Sequence, residues 1–263
     1  MNSTAASVSS KWGQALQAIP FLIGLGCVDV AWSQNEEMKP MSTNEASATN
    51  FNLDAKQEHV VILAALAAVG DMPRLNATLE LALDSGLTVS EVREVLIQLY
   101  AYAGFPRSLN ALGQLMQVVN ARKQRGIIDE QGSEPSRAIP QGDELLAAGT
   151  ANQTKLVGAR VEGPLFDFAP VANQYLRAHL FGDIFERDNL SWQMRELATV
   201  GMLSAIPGVE SQLQAHMRIS MNTGLTVEQL RQVSQILNSR ADTAMGDRAT
   251  KALEAHVETM PAS

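Results

Sequence analysis

Two stretches of the chain carry the same succession of apolar and polar positions. Residues 58–99 align with residues 196–237 without a gap, at a constant offset of 138 (196 − 58 = 138). The run Gly86-Leu87-Thr88-Val89 falls on the identical run Gly224-Leu225-Thr226-Val227. An ungapped match with an identical four-residue turn predicts that one structural unit occurs twice in the chain.

The apolar periodicity predicts three helices in each unit. Residues 58–69 (EHVVILAALAAV) are apolar nearly all round, which predicts a buried helix. The next helix has apolar residues on one side only, at Leu75, Leu79, Ala82 and Leu83. The third helix is predicted to begin at a capping box, which pairs Thr88 with Glu91 in the first unit and Thr226 with Gln229 in the second.

A further helix is predicted after Gly104-Phe105-Pro106. We expect its buried side to carry Leu109, Leu112, Leu115, Met116 and Val119. The first unit therefore covers residues 53–122, and residues 123–163, which are richer in Gly, Pro and charge, are predicted to connect it to a second unit at 164–256. Because no alternating β-branched run is bounded by turn residues, we predict an all-α fold in which the two units form one body.

The N-terminus has the pattern of a secretory signal peptide at residues 1–33. Its apolar stretch, residues 15–28, is too short to span a bilayer, and Ala31 and Ser33 occupy the small-residue positions of a cleavage site before Gln34. A disordered leader or an N-terminal amphipathic helix is the alternative. Lipid attachment at Cys27 is disfavoured, because Gly24 stands where a large aliphatic residue is required.

A polar spacer at residues 34–52 follows the predicted leader. A cleaved leader predicts a periplasmic or secreted protein, and an uncleaved one a cytoplasmic protein.

Composition and charge exclude several classes of function and of binding site. The net charge of −8 and the lack of a Lys/Arg run predict no binding to nucleic acid, and no membrane binding once the leader is removed. With Cys27 as the single cysteine, an internal disulfide and a cysteine-ligated zinc site are impossible. The four histidines lack the spacing of metal ligands, so we expect no metal site.

Glu196 and His216 are the first candidates for chemistry. Glu196 begins an otherwise apolar helix and His216 lies in the next one, so antiparallel packing would bring carboxylate and imidazole together as an acid/base pair. Alternatively, Glu196 pairs with its neighbour Arg195 at the helix start, and His216 lies on the surface. The first unit has Thr78 at the His216 position and lacks this pair.

The segment Tyr102-Ala103-Gly104-Phe105-Pro106-Arg107 is the second candidate. The helix that starts here presents free backbone N–H groups, and the fixed charge of Arg107 can grip a carboxylate, so the turn suits an anionic ligand. The alternative is an ordinary helix break with Arg107 in solvent. The second unit has no such turn. A working site must therefore combine residues of both units, or of two chains.

These features resemble the carboxymuconolactone decarboxylase family, whose helical fold is shared with alkylhydroperoxidase D-like proteins. The resemblance rests on Phe181–Leu190 followed by Arg195-Glu196-Leu197, on Gln212-Leu213 with His216 and Gly224-Leu225-Thr226, and on Glu94-Val95-Leu96 with Tyr102–Pro106 and Asn110-Ala111. It covers about 53–122 and 164–238. For the fold, it implies trimers or hexamers of single-unit chains, so that three copies of a tandem chain would build a pseudo-hexamer.

The resemblance also implies chemistry of two kinds. The decarboxylase branch removes CO2 from a carboxylated unsaturated lactone without metal or organic cofactor. On this reading His216 and Glu196 are catalytic, and Arg195, Tyr102 and Arg107 bind the small carboxylate substrate. The peroxidase branch requires a Cys-x-x-Cys pair before the histidine, but Val209 and Gln212 stand at those positions.

We therefore expect a cofactor-free lyase or related acid/base enzyme. The alternative is a non-catalytic, oligomeric binding or scaffold protein on the same fold.

Overall fold

A computed structural model of the protein describes residues 52–260. The predicted leader, Cys27 and nearly all of the predicted spacer lie outside these residues. The described part contains eleven α-helices, one π-helical segment and no β-strand, so the predicted all-α fold is confirmed. Within the same residues, no helix combines the length and the apolar character needed to cross a bilayer.

The first unit consists of four helices, α1 (Ala55–Val69), α2 (Met72–Asp84), α3 (Val89–Gln98) and α4 (Tyr100–Gln124). The predicted connection then contains a helix of its own, α5 (Gly142–Val157). The short helices α6 (Pro164–Phe168) and α7 (Pro170–Tyr175) follow, and α7 continues into a π-helix (Leu176–Ile184). The second unit ends the described chain with α8 (Trp192–Ala205), α9 (Glu210–Asn222), α10 (Val227–Arg240) and α11 (Thr243–Val257).

The helix boundaries of the two units follow the same offset of 138. Helix α9 has the bounds of α2 shifted by that number, and α10 begins where α3 does after the same shift. Both predicted capping boxes are formed: the Thr88 and Thr226 side chains each accept from the third helical N–H at 3.1 Å. The side chains of Glu91 and Gln229 accept in return at 2.8 and 2.9 Å. The repeated turn therefore starts both helices by the same chemistry.

Helices α1 and α8 form the centre of the body and make the most extensive helix–helix contact in the described chain. Residues 60–68 of α1 are all buried, as their uniformly apolar sequence predicts. On α8, a Cβ at Gly201 would lie 2.5 Å from the carbonyl oxygen of Val61. Only a glycine allows the two backbones to approach this closely.

The buried side predicted for α4 is wrong at two positions. Leu109 and Met116 are 61% and 62% exposed, whereas Ala111, Leu115 and Val118 are buried. Gly104, at φ 80° and ψ 160°, interrupts the helical path, and the helix beyond it turns a neighbouring row of residues inward. That row includes small and polar residues, which hydrophobicity alone does not mark as core.

Helix α5, which the sequence analysis did not predict, packs against the π-helix. A Cβ at Gly149 would lie 1.7 Å from the carbonyl oxygen of Arg177, so the two backbones touch at this glycine. The two helices, together with Phe185 and with Ile219 of α9, form a second, smaller core that also contains Leu156, Leu180, Phe181 and Ile184. Tyr100 and Tyr102 pack against this core, which places it beside the candidate site described next.

Candidate active site

Glu196 and His216 meet inside the second unit. Ser191 caps α8, so the fully buried Glu196 lies in the first turns of that helix. His216 lies on the neighbouring helix α9, where its side chain keeps about a tenth of its surface exposed. His216 Nδ1 lies 2.7 Å from Glu196 Oε2, which is a hydrogen-bond distance. Because this bond engages Nδ1, Nε2 is the ring nitrogen left to meet a ligand.

Tyr102 reaches the same pair from the first unit. Its ring stands at 79° to the imidazole of His216, with the two centroids 5.9 Å apart. The positive φ of Gly104 ends the helical path two residues later, so Tyr102 lies at the kink where α4 changes direction. The cluster is therefore assembled between the two repeats of one chain, without a second molecule.

Three buried polar atoms around this cluster have no hydrogen-bond partner within residues 52–260: the hydroxyl of Tyr102, Oε1 of Glu196 and Nε of Arg195. Buried polar groups are paired in the great majority of native structures, and unpaired ones recur at functional sites. Burial, and next the negative charge of Glu196, raise the pKa of the Tyr102 phenol above its usual range. The phenol is therefore a hydrogen-bond donor at neutral pH.

Arg195 faces away from its neighbour Glu196 in the chain. Its guanidinium is fully buried and donates to Glu94 Oε2 at 3.2 Å, to Gln98 Oε1 at 3.2 Å and to the carbonyl oxygen of Arg187 at 2.8 Å. Glu94 is also fully buried and accepts two further bonds from Arg187, at 2.9 and 2.6 Å. Helix α3 of the first unit is thus tied to α8 of the second by a buried ionic network.

Gln98 completes this network directly behind the candidate site. Its amide nitrogen donates to the carbonyl oxygen of Arg195 at 3.0 Å and to the hydroxyl of Thr199 at 2.8 Å. Gln98 and Glu94 were not among the predicted site residues. The signal was present, because the two residues are polar, four positions apart and set among the apolar residues of α3.

Arg107 does not join the cluster. It is exposed, and its guanidinium lies against Gly70, where a Cβ would be 1.6 Å from Nη1. Gly70 ends α1, so the charge of Arg107 lies near the negative end of that helix dipole. No hydrogen bond in the described part of the chain joins it to Tyr102, Glu196 or His216. Of the five predicted site residues, the structure brings these three together, sets Arg195 behind them and leaves Arg107 apart.

Comparison with known proteins gives two matches. A sequence model described as the carboxymuconolactone decarboxylase family matches residues 39–116 and 170–258, which is more than half of the chain. A protein of Methanocaldococcus jannaschii named "Uncharacterized protein MJ1511" is 30% identical over 66 residues, or 25% of this chain. That alignment covers 62% of the relative, so the chain spans less than two thirds of its length.

Proposed function

The chain belongs to the carboxymuconolactone decarboxylase family, and we propose that it is a cofactor-free carboxy-lyase acting on a small carboxylated, unsaturated lactone. The observation that carries the proposal is the buried Glu196–His216 pair, with Tyr102 supplied by the other repeat. A thiol peroxidase is not proposed, because neither Val209 nor Gln212 can supply a thiolate.

The reaction needs a proton donor and a place for negative charge. The bond to the carboxylate carbon breaks, CO2 leaves, and the electron pair enters the unsaturated lactone as a dienolate. A proton then takes the place of CO2 on the carbon skeleton, so one proton is consumed per turnover. A group that protonates the dienolate and a donor that stabilises its oxygen would both accelerate the reaction.

The three clustered residues suit these two tasks. We assign the proton transfer to His216 Nε2, because Nδ1 is held by Glu196. The Tyr102 hydroxyl, buried and without a partner within residues 52–260, would donate to the negatively charged oxygen. Arg195 would add positive charge from behind the cluster, and its Nε, which no group in the described part of the chain engages, is its remaining donor.

Arg107 is proposed as an outer contact for the substrate carboxylate. Arg107 is exposed, and its guanidinium has no bonded partner in the described residues, so it is free to meet a ligand. An Arg107→Ala variant should raise KM and leave kcat unchanged, because the residue does not touch the Glu196–His216 pair. A fall in kcat with KM unchanged would remove Arg107 from this role.

Assembly and location belong to the proposal as well. We propose a homo-oligomer, a trimer that forms a pseudo-hexamer, supported by exposed apolar side chains on α4 at Phe105, Leu109 and Met116. Light scattering on the purified protein would test it, and a monomer at micromolar concentration would contradict it. We also propose export to the periplasm or medium, for which N-terminal sequencing of the recovered protein should give Gln34 as the first residue.

The deciding experiment for function compares two histidine variants. Purified protein is incubated with carboxymuconolactone and related lactone acids, and the loss of ultraviolet absorbance and the release of CO2 are followed. His216→Ala should lower kcat by about 100- to 10,000-fold, as for loss of a general acid. The matched control is His179→Ala, since His179 also pairs with a carboxylate, Asp183 at 2.6 Å, but is half-exposed and has its ring against Tyr100.

The outcomes separate the candidate functions. Equal turnover by His216→Ala and the wild type, with unchanged circular dichroism, would remove His216 from the mechanism. Tight binding of a lactone acid without CO2 release, in both proteins, would instead support the non-catalytic binding protein on the same fold.

A further inference from the structure

We infer that each chain carries one catalytic site, formed by Glu196, His216 and Tyr102, and that the equivalent position of the other repeat only holds the repeats together. We call this second position, where Glu58 is bonded to Arg240 and Gln232, the ionic fastener. The catalytic half of this inference rests on the proposed function, whereas the fastener rests on the contacts alone. The offset of 138 places Glu58 at the position of Glu196, Thr78 at that of His216, and Arg240 at that of Tyr102.

At both of these positions a residue of the opposite repeat makes a contact. Tyr102 crosses from the first repeat to His216 of the second, and Arg240 crosses from the second repeat to Glu58 of the first. Reciprocal contacts of this kind are those of a two-fold interface, in which each half presents the same surface to the other. Two equivalent positions, at Glu196 and at Glu58, are therefore expected from the fold. Their side chains decide whether both can catalyse proton transfer.

Glu58 is fully engaged where Glu196 is not. Oε2 of Glu58 accepts from Arg240 Nη1 at 3.1 Å, and Oε1 accepts from Gln232 Nε2 at 3.1 Å. Gln232 in turn accepts from the backbone N–H of Leu53 at 2.8 Å. Both carboxylate oxygens of Glu58 are thus bound by the second repeat. Glu196, by contrast, is bonded to one imidazole, and its Oε1 has no partner within residues 52–260.

No imidazole replaces His216 at this position. The hydroxyl of Thr78 donates to the carbonyl oxygen of Arg74 at 2.9 Å, within its own helix. The nearby His59 has both ring nitrogens engaged, Nδ1 by the carbonyl oxygen of Ala55 at 2.7 Å and Nε2 by Arg240 at 3.3 Å. Neither residue bonds to Glu58, so the position lacks a carboxylate-held proton donor.

A second arginine strengthens the fastener. Arg74 of α2 donates to the carbonyl oxygen of Ala241 at the end of α10, one residue beyond Arg240. The two arginines thus cross the repeat boundary in opposite directions at the same place. At this position the carboxylate is thus bonded to Arg240 and Gln232, where Glu196 of the other repeat is bonded to a histidine.

The test combines ligand stoichiometry with stability. The probe is a saturated carboxylated γ-lactone, which lacks the unsaturation needed to stabilise a dienolate and so is not consumed. Calorimetry should give one molecule bound per chain. Glu58→Gln should keep the wild-type kcat, and its matched control Glu196→Gln should lose about 100-fold or more. Two molecules per chain, or an equal loss of kcat in both variants, would overturn the single site.

The fastener is tested without any substrate. Glu58→Gln and Arg240→Gln should each lower the thermal unfolding midpoint by about 1–3 °C, as for a partly exposed ion pair. The double variant should lose less than the sum of the two single losses, because both single variants remove the Glu58–Arg240 bond. If the two single decreases in the unfolding midpoint add up exactly in the double variant, or if neither variant lowers the midpoint, the ionic fastener is refuted. A wild-type protein that decarboxylates no lactone acid would contradict the proposed function. It would leave the stability comparison of the single and double variants valid.

Discussion

The ring of Tyr102 stands nearly perpendicular to the imidazole of His216, with the centroids 5.9 Å apart, although the two residues belong to different repeats. Neither repeat alone contains the cluster, because Glu196 and His216 come from the second and the tyrosine from the first. The interface between the repeats is thus part of the candidate site, and several measurable consequences follow from its construction.

Tyr102→Phe should separate activity from stability. The hydroxyl is buried and has no partner within the described residues, so its removal should leave the free energy of unfolding unchanged or raise it by about 1 kcal/mol. The same removal should lower kcat by about 100-fold, because it deletes a donor to the developing anion. The control is Tyr175→Phe, at an exposed tyrosine, which should change neither quantity. A Tyr102→Phe enzyme with full kcat would refute the donor role.

Glu94→Gln should destabilise the protein strongly. The change leaves the buried Arg195 and the partly buried Arg187 without their shared counterion. Loss of one partner of a buried ion pair costs about 3–5 kcal/mol, measurable as a shift in the urea midpoint at pH 7. Glu134→Ala, which breaks the exposed pair with Arg93, should cost at most about 1 kcal/mol. Equal losses in the two variants would contradict the importance assigned to the buried network.

The same carboxylate predicts a pH dependence of stability. Burial by itself would raise the pKa of Glu94, but the hydrogen bonds from Arg187 and the charge of Arg195 outweigh it and hold the pKa below the usual value of 4.5. In the unfolded chain Glu94 binds its proton at higher pH than in the folded one. Its contribution is therefore complete above about pH 4.5 and is lost as the pH falls through the folded value.

Urea unfolding of the wild type and of Glu94→Gln between pH 7 and pH 3 measures this effect. The difference between their free energies of unfolding should shrink as the pH falls below 4.5. A difference that stays constant down to pH 3 would show that Glu94 is not the group that titrates.

Two glycine substitutions should have opposite effects on stability. At Gly149 a Cβ would lie 1.7 Å from the carbonyl oxygen of Arg177, so Gly149→Ala must push α5 away from the π-helix and should cost about 1–3 kcal/mol. Gly113 lies inside α4 with nothing within 4 Å of its Cβ position. Gly113→Ala should therefore stabilise by about 0.5–1 kcal/mol. Shifts of the thermal unfolding midpoint in the same direction for both variants would contradict the close approach at Gly149.

Local patterns in the sequence predicted the parts of the fold that local forces determine. The repeated turn, both capping boxes and the burial of α1 depend on neighbours within a few residues, and all are present. Antiparallel packing of α8 and α9 was also enough to bring Glu196 to His216. Each of these features follows from helix periodicity together with a short connection.

The remaining features depend on contacts between distant segments. Arg195 and Glu196 are neighbours in the chain, but successive residues of a helix point about 100° apart, so one faces Glu94 and the other faces His216. Helix α5 has little apolar signal of its own, because Gly149 touches the π-helix where a larger side chain would normally pack. Leu109 is the opposite case, because it is hydrophobic and yet exposed, outside the core.

Gly201 has no side chain, yet it sets how closely helices α1 and α8 approach each other. It is where α8 rests directly on the backbone of Val61, so it acts as a mechanical stop between the two repeats. The contact between Tyr102 and His216 spans the same boundary, so we expect a wider spacing of α1 and α8 to move the two rings apart. A methyl group at Gly201 would act as a wedge, and the alignment of the site is thus encoded at a residue with no functional group.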